Sequence, residues 1–252
     1  MPIAKTTLQG LIGFVTMALA GLSFAEANEG WVFTVAPYVW ATGMEGEVAT
    51  LPPADPADID LSFGNVLEDL DLSLMSFAEA RKGRIGFFAE IFYVSVSTDA
   101  ETPGRIYSGA AYQQDFWALS IGGSFAVIQD QAQHIDVVGG IRFWDLDNEI
   151  NLKAGVAAAA DRTEHENWTD FIVGARGRAR LGQRWYLTGW AVSAVAGDSD
   201  SAWDVLATIG YEMGDDFMLT VGYRHQEVDY QDGDFLFDVE MSGPVIGLVW
   251  RL

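Results

Sequence analysis

The chain has 252 residues, a formal net charge of −22 and no cysteine, yet half of its residues are hydrophobic and 13% are aromatic. That much apolar surface excludes an acidic disordered chain, and the acidic balance excludes a phosphate-backbone partner, so no nucleic acid is expected. The missing thiols exclude disulfides, thiolate catalysis, cysteine-bound zinc and a lipid-modified N-terminal cysteine.

At the N-terminus, Lys5 precedes an uncharged run to Ala25 that holds the apolar stretch Leu11 to Leu22, then Ser23-Phe24-Ala25 before the acidic Glu26. A basic start, an apolar centre and a small-x-small ending predict a cleavable signal peptide over residues 1–25, leaving one domain over 26–252. No later stretch reaches the roughly eighteen apolar residues that a membrane-crossing helix needs, so the mature chain can cross a bilayer only with strands.

From residue 31 onward the hydrophobic period is two, the mark of strands with one apolar face. Phe217, Leu219, Val221 and Tyr223 alternate with Thr220, Gly222 and Arg224; Phe171, Val173, Ala175, Ala179 and Leu181 alternate with Gly174, Arg176, Arg178 and Arg180. The same reading predicts ten strands, near 31–42, 69–81, 84–97, 111–127, 134–151, 167–181, 185–197, 202–213, 217–231 and 235–252. Connections alternate in length. Short ones lie around 81–84, 129–133, 181–184 and 213–216; longer or more polar ones lie over 43–68, 98–109, 152–166 and at the "GDSDS" and "QDGD" segments. Short turns on one side and longer loops on the other predict a closed antiparallel transmembrane β-barrel of about ten strands, with eight as the runner-up.

The longer loops carry Glu45, Glu47, Asp55, Asp58, Asp60, Asp99, Glu101, Asp161, Glu164, Glu166, Asp198, Asp200, Asp232 and Asp234 against only Arg105, Lys153 and Arg162. Such a rim keeps loops solvated, draws divalent cations that bridge to lipopolysaccharide, or attracts cationic solutes. Aromatics collect at strand ends: Trp31, Trp185, Tyr211, Phe217 and Trp250 predict a periplasmic girdle, and Tyr93, Trp117, Phe143, Phe171, Trp203 and Phe235 an outer one. In the last strand Ile246, Leu248, Trp250 and Leu252 share one face, as in C-terminal strands read by the barrel-assembly machinery, although the final residue is leucine where an aromatic is usual. A bulge is expected at Gly243-Pro244.

Period two also sorts the charges. Glu79, Glu90, Asp204 and Glu240 are expected to point inward together with Arg142, Arg176, Arg178, Arg180, Arg224 and Arg251, with Phe88 and Trp190 adding bulk. A ten-stranded bore has little spare width, and unpaired charges there would cost several kcal/mol each. An arginine–carboxylate network closing the lumen is therefore expected.

The segments "PYVWATGMEGEV", "DIDLSFGNVLEDLDLSLMSFAEARKGRIGFFAEIFYV", "RFWDLDNEI" and "GYRHQEVDYQDGDFLFDVEMSGPVIGL" resemble a family of proteobacterial outer-membrane β-barrel proteins across nearly the whole mature chain. The resemblance implies a fold and a location, the Gram-negative outer membrane, and carries no catalytic motif.

Catalysis would need a base beside a nucleophile or an Asp-His pair holding water. The histidines stand in "HID", "HEN" and "HQE", none followed by a serine two residues on. His225 near Glu227 and Asp229 is an acid–histidine grouping at outer-rim height, but Asp215-Asp216 falls in a periplasmic turn. The runs Asp145 to Glu149, Asp198 to Asp200 and Asp229 to Asp234 offer oxygen donors for Ca²⁺ without an EF-hand spacing, and read more simply as solvated turns. Neither an enzyme, a metal site nor a cofactor is expected. The expectation is an integral barrel, monomeric by default, surrounded by outer-membrane lipid and lipopolysaccharide, with a structural or narrow-channel role. The rivals are a diffusion channel for small solutes or hydrophobic compounds, a barrel enzyme acting at the outer rim, and a soluble periplasmic β-sandwich binding module.

Overall fold

In the computed structural model, which describes residues 30–50, 56–68, 70–100, 106–130 and 132–252, the period-two segments form a single antiparallel sheet that closes on itself. The leader predicted over 1–25 lies outside the described residues. The strands are β1 (Trp31–Trp40), β2 (Gly43–Ala49), β3 (Ala57–Leu61), β4 (Leu70–Lys82), β5 (Ile85–Ala100), β6 (Tyr107–Gln129), β7 (Gln133–Ala154), β8 (Ala160–Arg180), β9 (Trp185–Gly197), β10 (Ser201–Glu212), β11 (Phe217–Asp232) and β12 (Phe235–Arg251). One short helix, α1 (Phe63–Glu68), follows β3. Its start is capped reciprocally: the Asn65 amide donates to Ser62 Oγ, and the Ser62 amide donates to Asn65 Oδ1.

Each strand from β4 to β12 pairs with the next, and β12 returns to pair with β1. β1 and β2 form one stave, because both face β12 in the same register, from Thr34 opposite Arg251 to Ala49 opposite Leu236. The break at Ala41-Thr42 falls opposite Pro244-Gly243. Pro244 has no amide hydrogen to give the ladder, and a single bond from the Ala41 amide to the Pro244 carbonyl, 2.9 Å, spans the gap. Counted this way the barrel has ten staves, with β3 lying along the upper half of the first. A single closed sheet overturns both the eight-strand and the β-sandwich alternatives.

Two sequence expectations are corrected here. Gly43 does not begin an outer loop; the stave continues to Ala49, with Met44 and Val48 packed inward and Glu45 and Glu47 exposed. The bulge expected at Gly243-Pro244 is absent, and β11 and β12 pair without a shift from Phe217 opposite Trp250 to Asp232 opposite Phe235. The reason is close approach: a Cβ on Gly243 would stand 2.0 Å from the Ala41 carbonyl oxygen, so glycine lets the first stave lie flush where a bulge would otherwise be needed.

Alternation gives the wall two chemistries. Ile85, Phe87, Phe125, Val137, Phe171, Leu187, Ile209, Val221, Ile246 and Leu248 are exposed on the outside, an apolar belt that only lipid satisfies. Below it Trp185 meets Tyr211 at 4.8 Å and Phe217 meets Trp250 at 5.7 Å between ring centroids, with Trp31 exposed at the start of β1. Tyr93, Trp117, Phe143, Phe171 and Trp203 face outward higher up, where Tyr93 donates to Asp115 and Trp203 to Glu227. Phe235, expected in that outer girdle, is corrected. It is 3% exposed and points inward, because the odd residues of β12 all face the lumen.

β6, β7 and β8 hold 23, 22 and 21 residues, about twice the 9 to 11 that a tilted membrane strand requires. Their upper halves therefore stand above the lipid. The bore at that height is filled with rings. Phe116 stacks on Trp144, Trp144 on Trp168, and Trp168 on Tyr230 at 4.3 Å. Phe237 closes the set against Phe116 and Trp168.

Ile121 lies on the lipid face near mid-wall, 43% exposed, flanked across the strands by Ala89 and Ile141. Ile121→Arg is expected to cost about 2–4 kcal/mol, the range for a cation at the midplane of such barrels, whereas Ile121→Leu is expected to be nearly neutral. Refolding titrations into lipid vesicles measure both, and equal tolerance of the two substitutions would contradict the lipid-facing assignment.

Candidate functional site

The inward residues below the ring stack build a charge network across the bore. β5 contributes Glu90, β7 Arg142, and the paired strands β10 and β11 Asp204 and Arg224, so the latter two reach in together toward the former. Arg224 donates to Asp204 Oδ1 and Oδ2 at 3.0 and 2.6 Å and to Glu90 Oε1 and Oε2 at 3.0 and 3.2 Å. Arg142 donates to Asp204 at 3.1 Å and to Ser120 at 2.8 Å. Tyr38 from β1 gives its hydroxyl hydrogen to Glu90 and accepts from Arg224, both at 2.8 Å, and Trp190 donates to Asp204 at 3.2 Å. All four charged side chains are buried. Two cations and two carboxylates balance, which is how charges survive in a dry bore. The Arg224 guanidinium also lies over the rings of Trp40 and Trp190, at 4.8 and 5.2 Å.

A second cluster lies nearer the periplasmic mouth. Glu79 accepts from Arg81 at 2.8 Å and from Arg176 at 2.5 Å. Asp136, 1% exposed at its side chain, accepts from Arg81, from Arg176 at 3.1 Å and from His134 at 2.7 Å. Further down, Arg178 pairs with Glu212 at 2.8 Å and Arg180 donates to the Tyr186 hydroxyl at 2.5 Å. Arg251 lines the same mouth, with no ion pair among the described residues.

The structure thus brings Glu90, Arg142, Asp204 and Arg224 into one network, places Glu79 and Arg176 in another, and leaves Arg178, Arg180 and Arg251 nearer the opening. Glu240 is corrected. It points outward, 53% exposed, toward His225 at 3.3 Å. With no bulge at Gly243-Pro244 its parity is opposite to that of Arg251, so only one of the two can face the lumen. Arg81, Asp136 and Tyr38 escaped the sequence reading, although parity could have found them: Arg81 shares a face with Glu79, and Asp136 with Arg142.

Glu240 instead belongs to an outer-wall ladder above the lipid belt. Asp60, Glu45, Glu240 and Glu227 lie directly opposite one another in one row, and Asp58, Glu47, Asp238 and Asp229 in the next. Like charges so placed repel across the strands. Burial first, then Asp238, Asp200 and Glu227, hold the Asp229 carboxyl above its ordinary range.

Among the described residues, Asp145, Asp147 and His165 form one grouping of three side chains that could share a metal ion. His165 Nδ1 is 2.7 Å from Asp147 and Nε2 is 3.8 Å from Asp145, on the outer wall, where the sequence reading had only a solvated acidic run. His225 likewise faces outward, beside the Trp203 ring, and is therefore separated by the wall from the lumen carboxylates.

No family model and no curated protein matches the sequence. Among solved structures, the chain is similar to the outer membrane protease OmpT from Escherichia coli, with a TM-score of 0.58 at 8% identity over 92% of this chain and 99% of that one. The translocator domain of the autotransporter NalP from Neisseria meningitidis gives 0.40 at 11% identity over 97% and 96%, and Ail from Yersinia pestis 0.35 at 9% over 89% and 99%. The likeness to OmpT is one of fold. Together with the apolar belt and the aromatic girdles, that fold makes this chain an integral β-barrel protein of the Gram-negative outer membrane.

Asp204 receives four hydrogen bonds and is fully buried. Asp204→Ala leaves Arg142 and Arg224 short of a counter-charge and is expected to cost about 3–5 kcal/mol. Urea unfolding from lipid vesicles measures it, and a loss below about 1 kcal/mol would show that the network does not hold the barrel together.

Proposed function

We propose that this barrel is a sealed outer-membrane element, structural or at most narrowly conducting, and that it neither runs a catalytic step nor serves as an open diffusion pore. The observation that carries the reading is the double obstruction of the bore: the Glu90–Arg142–Asp204–Arg224 network, and above it the stack of Phe116, Trp144, Trp168, Tyr230 and Phe237. A solute would have to part buried ion pairs and displace interlocked rings, each step costing several kcal/mol.

The same reading makes β12 the strand recognised by the barrel-assembly machinery, since it carries the closing seam against β1 and sets Ile246, Leu248 and Trp250 on its outer face. A monomer suffices, because the sheet closes through β1 and β12 and, among the described residues, leaves only the five-residue strand β3 with an unpaired edge. The acidic ladder on the outer wall suits divalent cations shared with lipopolysaccharide phosphates, which would relieve its repulsion.

Planar-bilayer recordings test the seal. The wild-type protein is expected to give few or no conductance steps, and Trp168→Ala combined with Phe237→Ala to make steps more frequent. Large, stable openings from the wild type would make a diffusion channel the better account.

A further inference from the structure

The lower half of the bore is not filled. Beneath the central network lies a cavity of about 580 Å³, bounded by β1 and β4 to β12 and reaching the turn residues Asp130, Asp215 and Asp216 at the periplasmic mouth. Its size falls within the roughly 300–1,000 Å³ of small-molecule pockets. Its lining is graded. At the deep end Phe77, Trp190, Leu206 and Val245 form an apolar wall beside the paired Tyr38, Glu90 and Arg224, with Phe77 packed edge-on against Trp190 at 6.3 Å. The mouth carries Arg178, Arg180 and Arg251 together with Glu212 and the turn carboxylates Asp130, Asp215 and Asp216. Along β9 the two levels, Tyr186 and Trp190, are four residues apart, about 13 Å at the strand rise.

The ion pairs decide the sign of the ligand. Inside the cavity Glu79 and Asp136 are each shared by Arg81 and Arg176, Glu90 is held by Arg224, and Glu212 by Arg178. Among the described residues no carboxylate pairs with Arg180, whose side chain donates to the neutral Tyr186 hydroxyl, or with Arg251. The turn carboxylates share the mouth with these arginines but form no ion pair with either among the described residues. Asp130 is occupied by the backbone amides of Ala132 and Gln133, and Asp215 and Asp216 are exposed in the β10–β11 turn. Two arginines that no carboxylate pairs, at the opening of a chamber with apolar groups at its far end, match a molecule with an anionic head and a single apolar chain.

We propose that this chamber binds a single-chain anionic amphiphile from the periplasmic side, its carboxylate or phosphate at Arg180 and Arg251 and its chain between Trp190 and Leu206. Entry and exit use the one mouth, so binding does not require conduction. A free fatty acid and a single-chain phosphate ester share this chemistry.

Calorimetric titration of the full barrel in phosphatidylcholine nanodiscs, with empty discs subtracted, tests the site. The probes are octanoate and octyl phosphate, which separate the two sources, and octyltrimethylammonium and octyl glucoside as cationic and neutral counterparts. At least one anionic probe should bind and the counterparts should not. Arg180→Ala with Arg251→Ala should weaken that binding by about tenfold or more, the scale of a lost charge-assisted bond. Leu206→Trp, which fills the deep end while leaving the cations in place, should weaken it as well. Both variants are first shown to be folded by their heat-dependent gel migration. Equal binding of the anionic and cationic probes, no binding of either anion, or undiminished anion binding in both folded variants would overturn the proposal. None of these outcomes bears on conductance, so the seal is judged separately.

Discussion

The Arg224 guanidinium, bonded to Glu90 on one side of the bore and Asp204 on the other, is the interaction on which the rest of the barrel depends. At the height of this network the bore of ten staves is filled by side chains and leaves no room for bulk water. A charge buried at that height must therefore find an opposite charge across the lumen. Glu90 and Arg224 stand on strands β5 and β11, far apart in the sheet order, so their ion pair ties opposite walls directly. Buried networks of this kind specify one arrangement more than they add stability, and here the arrangement divides the bore in two.

Above the division the lumen behaves like the core of a soluble protein, with stacked and tilted rings and almost no accessible surface. Below it the lumen behaves like a pocket, with apolar walls near the network and arginines near the opening. The outer surface divides at corresponding heights. The apolar belt meets lipid, and above it the wall becomes acidic, where Glu240 and its neighbours repel one another across four strands. Alternation along each strand thus produces both a sealed interior and a layered exterior.

Much of this architecture was legible because period two is a strong signal. Inward placement of Glu90, Arg142, Asp204 and Arg224 follows from parity alone once a strand has been located. Parity failed where an extra assumption entered. The bulge assumed at Gly243-Pro244 shifted the upper half of β12, and Glu240 and Phe235 were consequently assigned to the wrong faces. The sequence signals for a proline bulge and for a glycine that permits close approach are the same two residues; only the contact between Gly243 and Ala41 distinguishes them. Which inward charges pair was not legible either, because that depends on the register of strands far apart in sequence. Asp136 meeting both Arg81 and Arg176 is such a case. The outer grouping of Asp145, Asp147 and His165 likewise arises only when β7 and β8 are set side by side.

The absence of cysteine from the chain allows a direct measurement of whether the lumen is divided. A single cysteine is placed in the lower chamber by Thr188→Cys, and in a second variant on the exposed upper wall by Ser201→Cys. Intact cells are then treated from outside with a charged maleimide too large for general porins. A divided lumen predicts rapid labelling at position 201, and labelling at 188 only after the outer membrane has been permeabilised. Equal labelling of both positions in intact cells would show a continuous path through the barrel and contradict the account.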